Sequence, residues 1–220
     1  MSCSVSVHAL LAITLHCSMA AAQERISTTP LAVGDPAFVG TATSASGLWA
    51  KRYPFDPATF GKTRGNVPGA PTSDPTIVIY TTSLSPAFLK LARRVDTFVG
   101  EHPELRSSGI YLLEEKGAQA GGYTVAELSQ RITRLKEIAT ENKLGQLSTA
   151  IAANSDLKAR QRLGLDEIHD AAIVYFAKGT KSAMVRWIER VATDKLDDND
   201  LNKFIDSLNV AHESNKLRKP

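Results

Sequence analysis

Apolar and polar positions alternate in two different ways along the second part of the chain, which begins near residue 75. Short β-branched runs, typical of buried strands, are followed by segments in which apolar residues recur every three or four positions. The run TIVIYTT at residues 76–82 predicts a strand, and Ser85 and Pro86 then provide the N-cap and the first position of a helix. The pattern therefore predicts a strand that leads directly into an amphipathic helix.

The same alternation continues almost to the C-terminus. Further strands are predicted over residues 109–113, 147–152, 171–176 and 183–188, and further helices after Thr124, at Ser155 and near Asp200. The order is βαβαβαββα, with three parallel strands followed by an antiparallel hairpin. This order predicts one α/β domain over residues 75–210, with a mixed sheet of four to five strands flanked by helices. A short C-terminal tail is expected over residues 211–220.

Residues 23–74 show neither a helical nor a strand period. They are rich in Gly, Pro, Ser, Thr and Ala, as in the stretch GNVPGAP at residues 65–71. We interpret them as an extended, mostly irregular N-terminal arm with one short element around Leu48 and Trp49. The arm contains too many aromatic residues for a free linker, so part of it is expected to pack on the domain.

The first 22 residues contain no Asp, Glu, Lys or Arg, and their apolar run at residues 9–15 is too short to span a bilayer. Three alanines before Gln23 offer the small residues that signal peptidase recognises. A signal peptide over residues 1–22 is therefore predicted, and its removal would leave a periplasmic or secreted protein without a membrane anchor. A lipid anchor on Cys17 is a less favoured alternative, because the bulky His16 precedes it.

Charge and cysteine content narrow the range of functions. The net charge of +3 arises from 26 basic and 23 acidic residues spread along the chain, which provides no strongly basic surface for nucleic acid. Cys3 and Cys17, the two cysteines, both lie in the predicted signal peptide, so cleavage would remove every thiol. The sequence indicates no cofactor and no particular partner, although a protein partner stays open.

The histidines and acidic residues do not predict a metal site. His102, His169 and His212 remain after cleavage, and none has another histidine at metal-ligand spacing. The acidic cluster between Asp194 and Asp200 is similar to a calcium loop, because Asp198, Asp200 and Asn202 supply alternating oxygen ligands. However, Lys203 stands where such a loop has glycine, and Asn209 where it has its last glutamate. They are interpreted as the acidic first turn of a helix, and no metal ligand is assigned.

The element order over residues 76–208 resembles the thioredoxin-like fold of thioredoxins and peroxiredoxins. In that family a Cys-x-x-Cys motif, typically Cys-Gly-Pro-Cys, lies between the first core strand and its helix. Matching the proline of that motif places Leu84, Ser85, Pro86 and Ala87 at its four positions. Both sulfur positions are lost, so the resemblance implies a degenerate, cysteine-less active site.

A second motif of the family is altered as well. The resemblance implies a cis-proline just before the strand that starts the hairpin, and Ala171 or a near neighbour stands at that place. Because a cis bond before a residue other than proline costs about 2.5–4 kcal/mol, this peptide bond is predicted to be trans. The segment VGDPAF at residues 33–38 is similar to the lead-in of peroxiredoxins, although short Gly-Asp-Pro segments are common turns.

These substitutions determine the expected function. Disulfide exchange and peroxide reduction require a thiolate, so the chain is predicted not to be a thiol-disulfide oxidoreductase. The leading hypothesis is an exported, non-redox thioredoxin-like domain with a binding or structural role. Two alternatives stay open: a hydrolase-like enzyme that uses Ser85 and His169, with Asp170 beside the histidine in a polar site, and a different small α/β binding domain.

Overall fold

The computed structural model describes residues 29–35, 41–44, 52–54, 75–105, 108–113, 125–152, 156–178 and 183–217. The predicted signal peptide, both cysteines and the short element expected at Leu48 and Trp49 lie outside the described residues. In the described part of the chain, no helix is both long and apolar enough to cross a membrane.

Within these ranges the chain forms four α-helices and seven β-strands. The helices are α1 (Pro86–Glu101), α2 (Val125–Glu141), α3 (Asp156–Leu163) and α4 (Asp198–Leu217). The strands are β1 (Thr41–Ser44), β2 (Arg52–Pro54), β3 (Thr76–Thr81), β4 (Gly109–Leu112), β5 (Ser148–Ala152), β6 (Ala171–Lys178) and β7 (Ala183–Val191). Short 3₁₀-helices at Pro103–Leu105 and Thr193–Lys195 follow α1 and β7. The elements from β3 to α4 confirm the predicted order βαβαβαββα.

The strands pair in one mixed sheet, in the order β2-β1-β5-β4-β3-β6-β7. Strands β3, β4 and β5 are parallel, whereas β6 pairs antiparallel with β3, and β7 with β6. Strands β3 to β7 confirm the predicted mixed sheet. The additional strands β1 and β2 come from the arm that was expected to be mostly irregular. They join the sheet beside β5 through backbone hydrogen bonds, which require no apolar pattern.

Strand β3 lies in the middle of the sheet, and all six of its residues are buried. Ile77 and Ile79 belong to the hydrophobic core that includes residues of α1 and α4. Val78 and Tyr80 belong to a second core, which includes Leu163 at the end of α3. Because successive side chains of a strand point to opposite faces, β3 connects the two cores.

Two arginines dock the segment at residues 29–35 onto the domain. Leu31 is buried in the second core, and its carbonyl accepts a hydrogen bond from Arg190 Nη2 at 2.7 Å. Arg162 Nη2 lies 2.9 Å from Asp35 Oδ2. Part of the arm therefore packs on the domain, as predicted, and Leu31 is the apolar side chain that makes this contact in the described part of the arm.

Helix α3 is followed by Gly164, the glycine predicted to close it, in a left-handed conformation with φ of +70°. This glycine lies against Arg190, whose Nε donates to the carbonyl of Leu163 at 2.5 Å. A Cβ at position 164 would come within 2.4 Å of that nitrogen. Glycine is therefore needed both for the backbone conformation and for the close approach of the arginine.

Helix α4 is longer than predicted. Its start at Asp198 agrees with a helix near Asp200, but it continues to Leu217, through most of the tail expected over residues 211–220. His212 is buried and extends the apolar stripe of the helix by one turn. The additional buried contact favours helix where the polar composition had suggested a tail.

The buried carboxylate of Asp96 fastens α1 to the turn before β5. Asp96 Oδ1 accepts hydrogen bonds from the backbone N–H groups of Gln146 at 2.9 Å and Leu147 at 2.8 Å. Asp96 Oδ2 accepts a longer one from Gly145 at 3.3 Å. Bonds to an ionised acceptor are stronger than neutral ones, so this single side chain contributes substantially to the position of β5.

Replacing Asp96 with alanine is expected to lower the free energy of unfolding by about 3 kcal/mol, because three backbone N–H groups lose their acceptor. Urea denaturation followed by circular dichroism would measure this change. Asp206→Ala is the matched control, since Asp206 is exposed on α4, and its effect should stay below about 0.5 kcal/mol. Equal losses in the two variants would contradict the role assigned to Asp96.

Candidate functional site

The four residues predicted to replace the redox motif lie between β3 and the start of α1. Ser85 is the N-cap of α1, with φ of −62° and ψ of 158°, and Pro86 occupies the first helical position. Ser85 Oγ accepts a hydrogen bond from the backbone N–H of Phe88 at 3.1 Å. The hydroxyl therefore acts as a helix cap, and the assignment of Leu84 and Ala87 to lost sulfur positions stays a prediction.

Ala171, the residue predicted to stand at the cis-proline position, begins β6. It pairs with Thr81, the last residue of β3, so the structure does bring it near the segment that leads to α1. The described residues contain no cis peptide bond, and the bond before Ala171 is therefore trans, as predicted. This proximity follows from the antiparallel register of β3 and β6.

Asp170 connects the start of β6 to the 3₁₀-helix that precedes α4. Its carboxylate accepts hydrogen bonds from Thr193, at 2.7 Å from the backbone nitrogen and 2.5 Å from Oγ1. Its carbonyl accepts another from the N–H of Thr82 at 3.0 Å. Through these bonds Asp170 connects the start of β6 to the 3₁₀-helix at Thr193 and to the residue after β3, Thr82.

His169 faces a different carboxylate from the one predicted. Its Nδ1 lies 3.1 Å from Asp166 Oδ1, and that oxygen also accepts the backbone N–H groups of His169 and Ile168. These backbone hydrogen bonds, first that of His169 and then that of Ile168, lower the pKa of Asp166 below its usual value. Ser85, His169 and Asp170 thus bond to three separate partners, and none of the three side chains is hydrogen-bonded to another as the hydrolase-like alternative would require.

A second group of side chains, which the sequence did not connect, meets where α1 and α4 pack together. His102 is the C-cap residue of α1, Glu104 lies in the 3₁₀-helix that follows, and His212 lies near the end of α4. Each offers one ligand atom, and these atoms all lie within 4.8 Å of one another. In the part of the chain that the structure describes, this is the one such group of histidine, cysteine or acidic residues.

Local sequence explains the positions of the first two ligands. Pro103 disfavours helical backbone at the residue before it, so α1 ends and His102 takes a cap conformation with φ of −124°. The 3₁₀ turn then brings Glu104 back beside the helix end. Glu104 Oε1 lies 3.8 Å from His102 Nδ1 and 2.9 Å from His212 Nε2.

His212 is held in place by buried aromatic neighbours. Its side chain is 1% exposed, and its ring makes edge-to-face contacts with Phe98 and Tyr175. Its Nδ1 lies 3.2 Å from the hydroxyl of Tyr175. A tyrosine hydroxyl can donate or accept, so it can serve either tautomer of the ring. This arrangement directs Nε2 toward Glu104 and is the outer hydrogen bond that metal-binding histidines commonly have.

The surroundings of Glu104 and His212 favour an ionised carboxylate and a neutral imidazole. A backbone hydrogen bond within Glu104, followed by side-chain hydrogen bonds from His212 and Lys216, lowers the pKa of Glu104 to about 2. Burial lowers the pKa of His212 below its usual value, which favours the neutral imidazole. Metal binding requires an ionised carboxylate and a neutral imidazole. Binding at His212 Nε2 also requires the tautomer with its proton on Nδ1, where the Tyr175 hydroxyl can accept it.

Two imidazoles and one carboxylate suit zinc, copper, nickel or ferrous iron. Three protein ligands leave further coordination positions for water, and Glu104 is 38% exposed, so solvent reaches the site. The sequence could not indicate this group, because His212 is far from the other two ligands along the chain. The short pattern His102-Pro103-Glu104 carried the only local signal.

Strand order and the position of the helices define the fold class. Strand β3, which precedes α1, lies centrally between β4 and β6, and the β6–β7 hairpin forms the far edge of the sheet. This is the arrangement that the sequence predicted by resemblance. The protein has a thioredoxin-like fold.

No protein-family model and no curated protein matches the chain. Among solved structures, it is similar to a thiol peroxidase from Chromobacterium violaceum, with 13% identity, 84% of this chain and 90% of that chain covered, and a TM-score of 0.49. It is also similar to the thioredoxin domain of a thiol-disulfide oxidoreductase from Bacteroides vulgatus, with 12% identity, 81% of this chain and 98% of that chain covered, and a TM-score of 0.45. A secreted disulfide oxidoreductase from Mycobacterium tuberculosis has 15% identity, with 74% of this chain and 94% of that chain covered, and a TM-score of 0.36. At these identities the similarity concerns the fold.

The comparisons contradict the predicted function. The structures of similar fold are thiol peroxidases and thiol-disulfide oxidoreductases, which runs against the prediction of a non-redox domain with a binding or structural role and against the denial of thiol oxidoreductase activity, so neither is retained. Both rested on the absence of sulfur at Leu84 and Ala87 and on the expected removal of Cys3 and Cys17 with the signal peptide. The full chain has its two thiols at Cys3 and Cys17, both of which lie outside the described residues.

Ser85→Ala is expected to destabilise the protein by about 1 kcal/mol, because α1 loses the acceptor for the N–H of Phe88. Ser85→Asp retains a capping oxygen and should remain within about 0.5 kcal/mol of the wild type. Chemical denaturation of the three proteins would measure both values. If alanine and aspartate had the same effect, the capping role of Ser85 would be refuted.

Proposed function

We propose that the protein is exported and binds a divalent transition-metal ion through His102, Glu104 and His212. The proposal is carried by one observation: the ligand atoms of these three side chains lie within 4.8 Å of one another. The chain segments that supply them are far apart in sequence, so their meeting results from the packing of α4 beside α1.

The spacing of the ligand atoms supports this assignment. In a tetrahedral zinc site with bonds of about 2.0–2.1 Å, neighbouring ligand atoms lie about 3.3 Å apart. The distances from Glu104 Oε1 to His212 Nε2 and His102 Nδ1, 2.9 and 3.8 Å, fall on either side of that value. Small side-chain rotations would therefore suffice to admit an ion.

The site needs little reorganisation on the imidazole side. The His212 ring is buried and bonded to Tyr175, and the His102 ring packs on Phe98 with ring centroids 4.4 Å apart. The two imidazoles are themselves 4.6 Å apart, measured between centroids. Ligands that are already ordered lose little conformational freedom on binding, which favours affinity.

Removal of His102 is expected to weaken the binding of one metal ion per chain. The full chain would be stripped with EDTA and titrated with zinc chloride by calorimetry, with copper, nickel and ferrous salts in parallel. His102→Ala and Glu104→Gln should each raise the dissociation constant of that ion at least about tenfold, because each variant removes one ligand. Both residues are partly exposed, so these variants are expected to fold, which circular dichroism would verify.

His169→Ala is the matched control, because His169 also lies beside a carboxylate, that of Asp166, but does not belong to the group of three ligands. It should bind zinc as the wild type does. Histidines and cysteines in the first 22 residues add sites of their own if that segment is retained. The relevant ion is therefore the one lost in His102→Ala and kept in His169→Ala. Equal binding by these two variants would rule out the proposed site.

The proposed export rests on the leader pattern of residues 1–22. Expressed in a Gram-negative host, the protein is expected in the periplasm or medium, with Gln23 as its first residue. Mass spectrometry of the intact protein and N-terminal sequencing would test this. A chain that stays in the cytoplasm with its first 22 residues attached would contradict the proposal. Replacing Leu11 by arginine, which interrupts the apolar run, should prevent export.

A further inference from the structure

The ammonium group of Lys216 lies against the carboxylate that would bind the metal. Lys216 Nζ is 3.2 Å from Glu104 Oε1, the same oxygen that faces both histidines. It also lies 2.8 Å from Glu213 Oε1. The lysine side chain is 43% exposed, so it is not locked in this position by packing.

We propose that Lys216 is a built-in competitor of the metal ion, which must be displaced from Glu104 before the ion can bind. This inference rests on the proposed function, since it concerns the same site. It identifies a residue that sets the affinity of the site without binding the ion.

Charge and geometry both support displacement. Glu104 Oε1 lies 3.2 Å from the Lys216 ammonium group, which already balances the charge of this oxygen and occupies space beside it that an ion would need. An ion bonded to Glu104 Oε1 would also lie within a few ångströms of the ammonium group, and like charges at that distance repel. The half-exposed lysine is the group best able to move.

Lys216 has a second partner to which it can turn. Glu213 lies one turn earlier on α4, in the i,i+3 relation, and already bonds to the ammonium group. Moving away from Glu104 would therefore leave the lysine paired. This distinguishes Lys216 from a charge that simply blocks the site, because the cost of moving it is limited to one exposed ion pair.

Zinc titrations of the wild type and of Lys216→Met would test the proposal. Methionine keeps an unbranched chain and removes the charge, so the His102-dependent ion should bind about tenfold more tightly. Lys216→Arg retains the charge and should bind close to the wild type. Lys203→Met is the matched control on the same helix, because Lys203 faces Asp200, and should also match the wild type.

The outcomes separate the two proposals. If the wild type and Lys216→Met both lack a His102-dependent ion, the proposed function fails and the inference fails with it. If the wild type binds that ion and Lys216→Met binds it equally or more weakly, only the competitor role is overturned. Tighter binding in Lys203→Met as well would likewise overturn it, since the effect would then reflect the overall charge of the helix.

Discussion

The complete burial of strand β3 is the constraint on which the rest of the structure depends. Its alternate side chains enter two separate cores, and its neighbours on either side run in opposite directions. Helices α1 and α4 both pack against the first core, so the end of one lies beside the end of the other. The candidate metal site is a consequence of that packing, because His102 and His212 are brought together only when both helices occupy the same face of the sheet.

Features governed by neighbouring residues could be predicted from the sequence. The β-branched run before Ser85 and Pro86 located β3 and the start of α1, and Gly164 marked the end of α3. Features governed by distant contacts could not. Strand β1 has small and polar residues and pairs through its backbone, while His212 carries no local sign that its ring would be buried against Tyr175. A polar C-terminal sequence looked like a tail for the same reason.

The functional prediction failed at a different step. The sequence correctly located the turn between β3 and α1. The absence of cysteine there, together with the expected removal of Cys3 and Cys17, was taken to decide the chemistry of the whole protein. Within the described residues, Ser85 caps a helix and Asp170 binds Thr193, so both have structural roles. The candidate metal ligands His102, Glu104 and His212 meet at the other end of α1. Resemblance to a fold indicates where proteins of that fold usually have their active site, whereas the chemistry of a given protein depends on which side chains its packing brings together.

The contact between Gly164 and Arg190 has a consequence for sequence variation. The arginine reaches past the glycine to bond the carbonyls of Leu163 and Leu31, so it connects the end of a helix to the N-terminal segment. Any side chain at position 164 would displace the arginine as well as strain the backbone. A change at this one glycine would therefore loosen a segment that is distant in sequence, and a loss of N-terminal docking need not originate in the N-terminal residues.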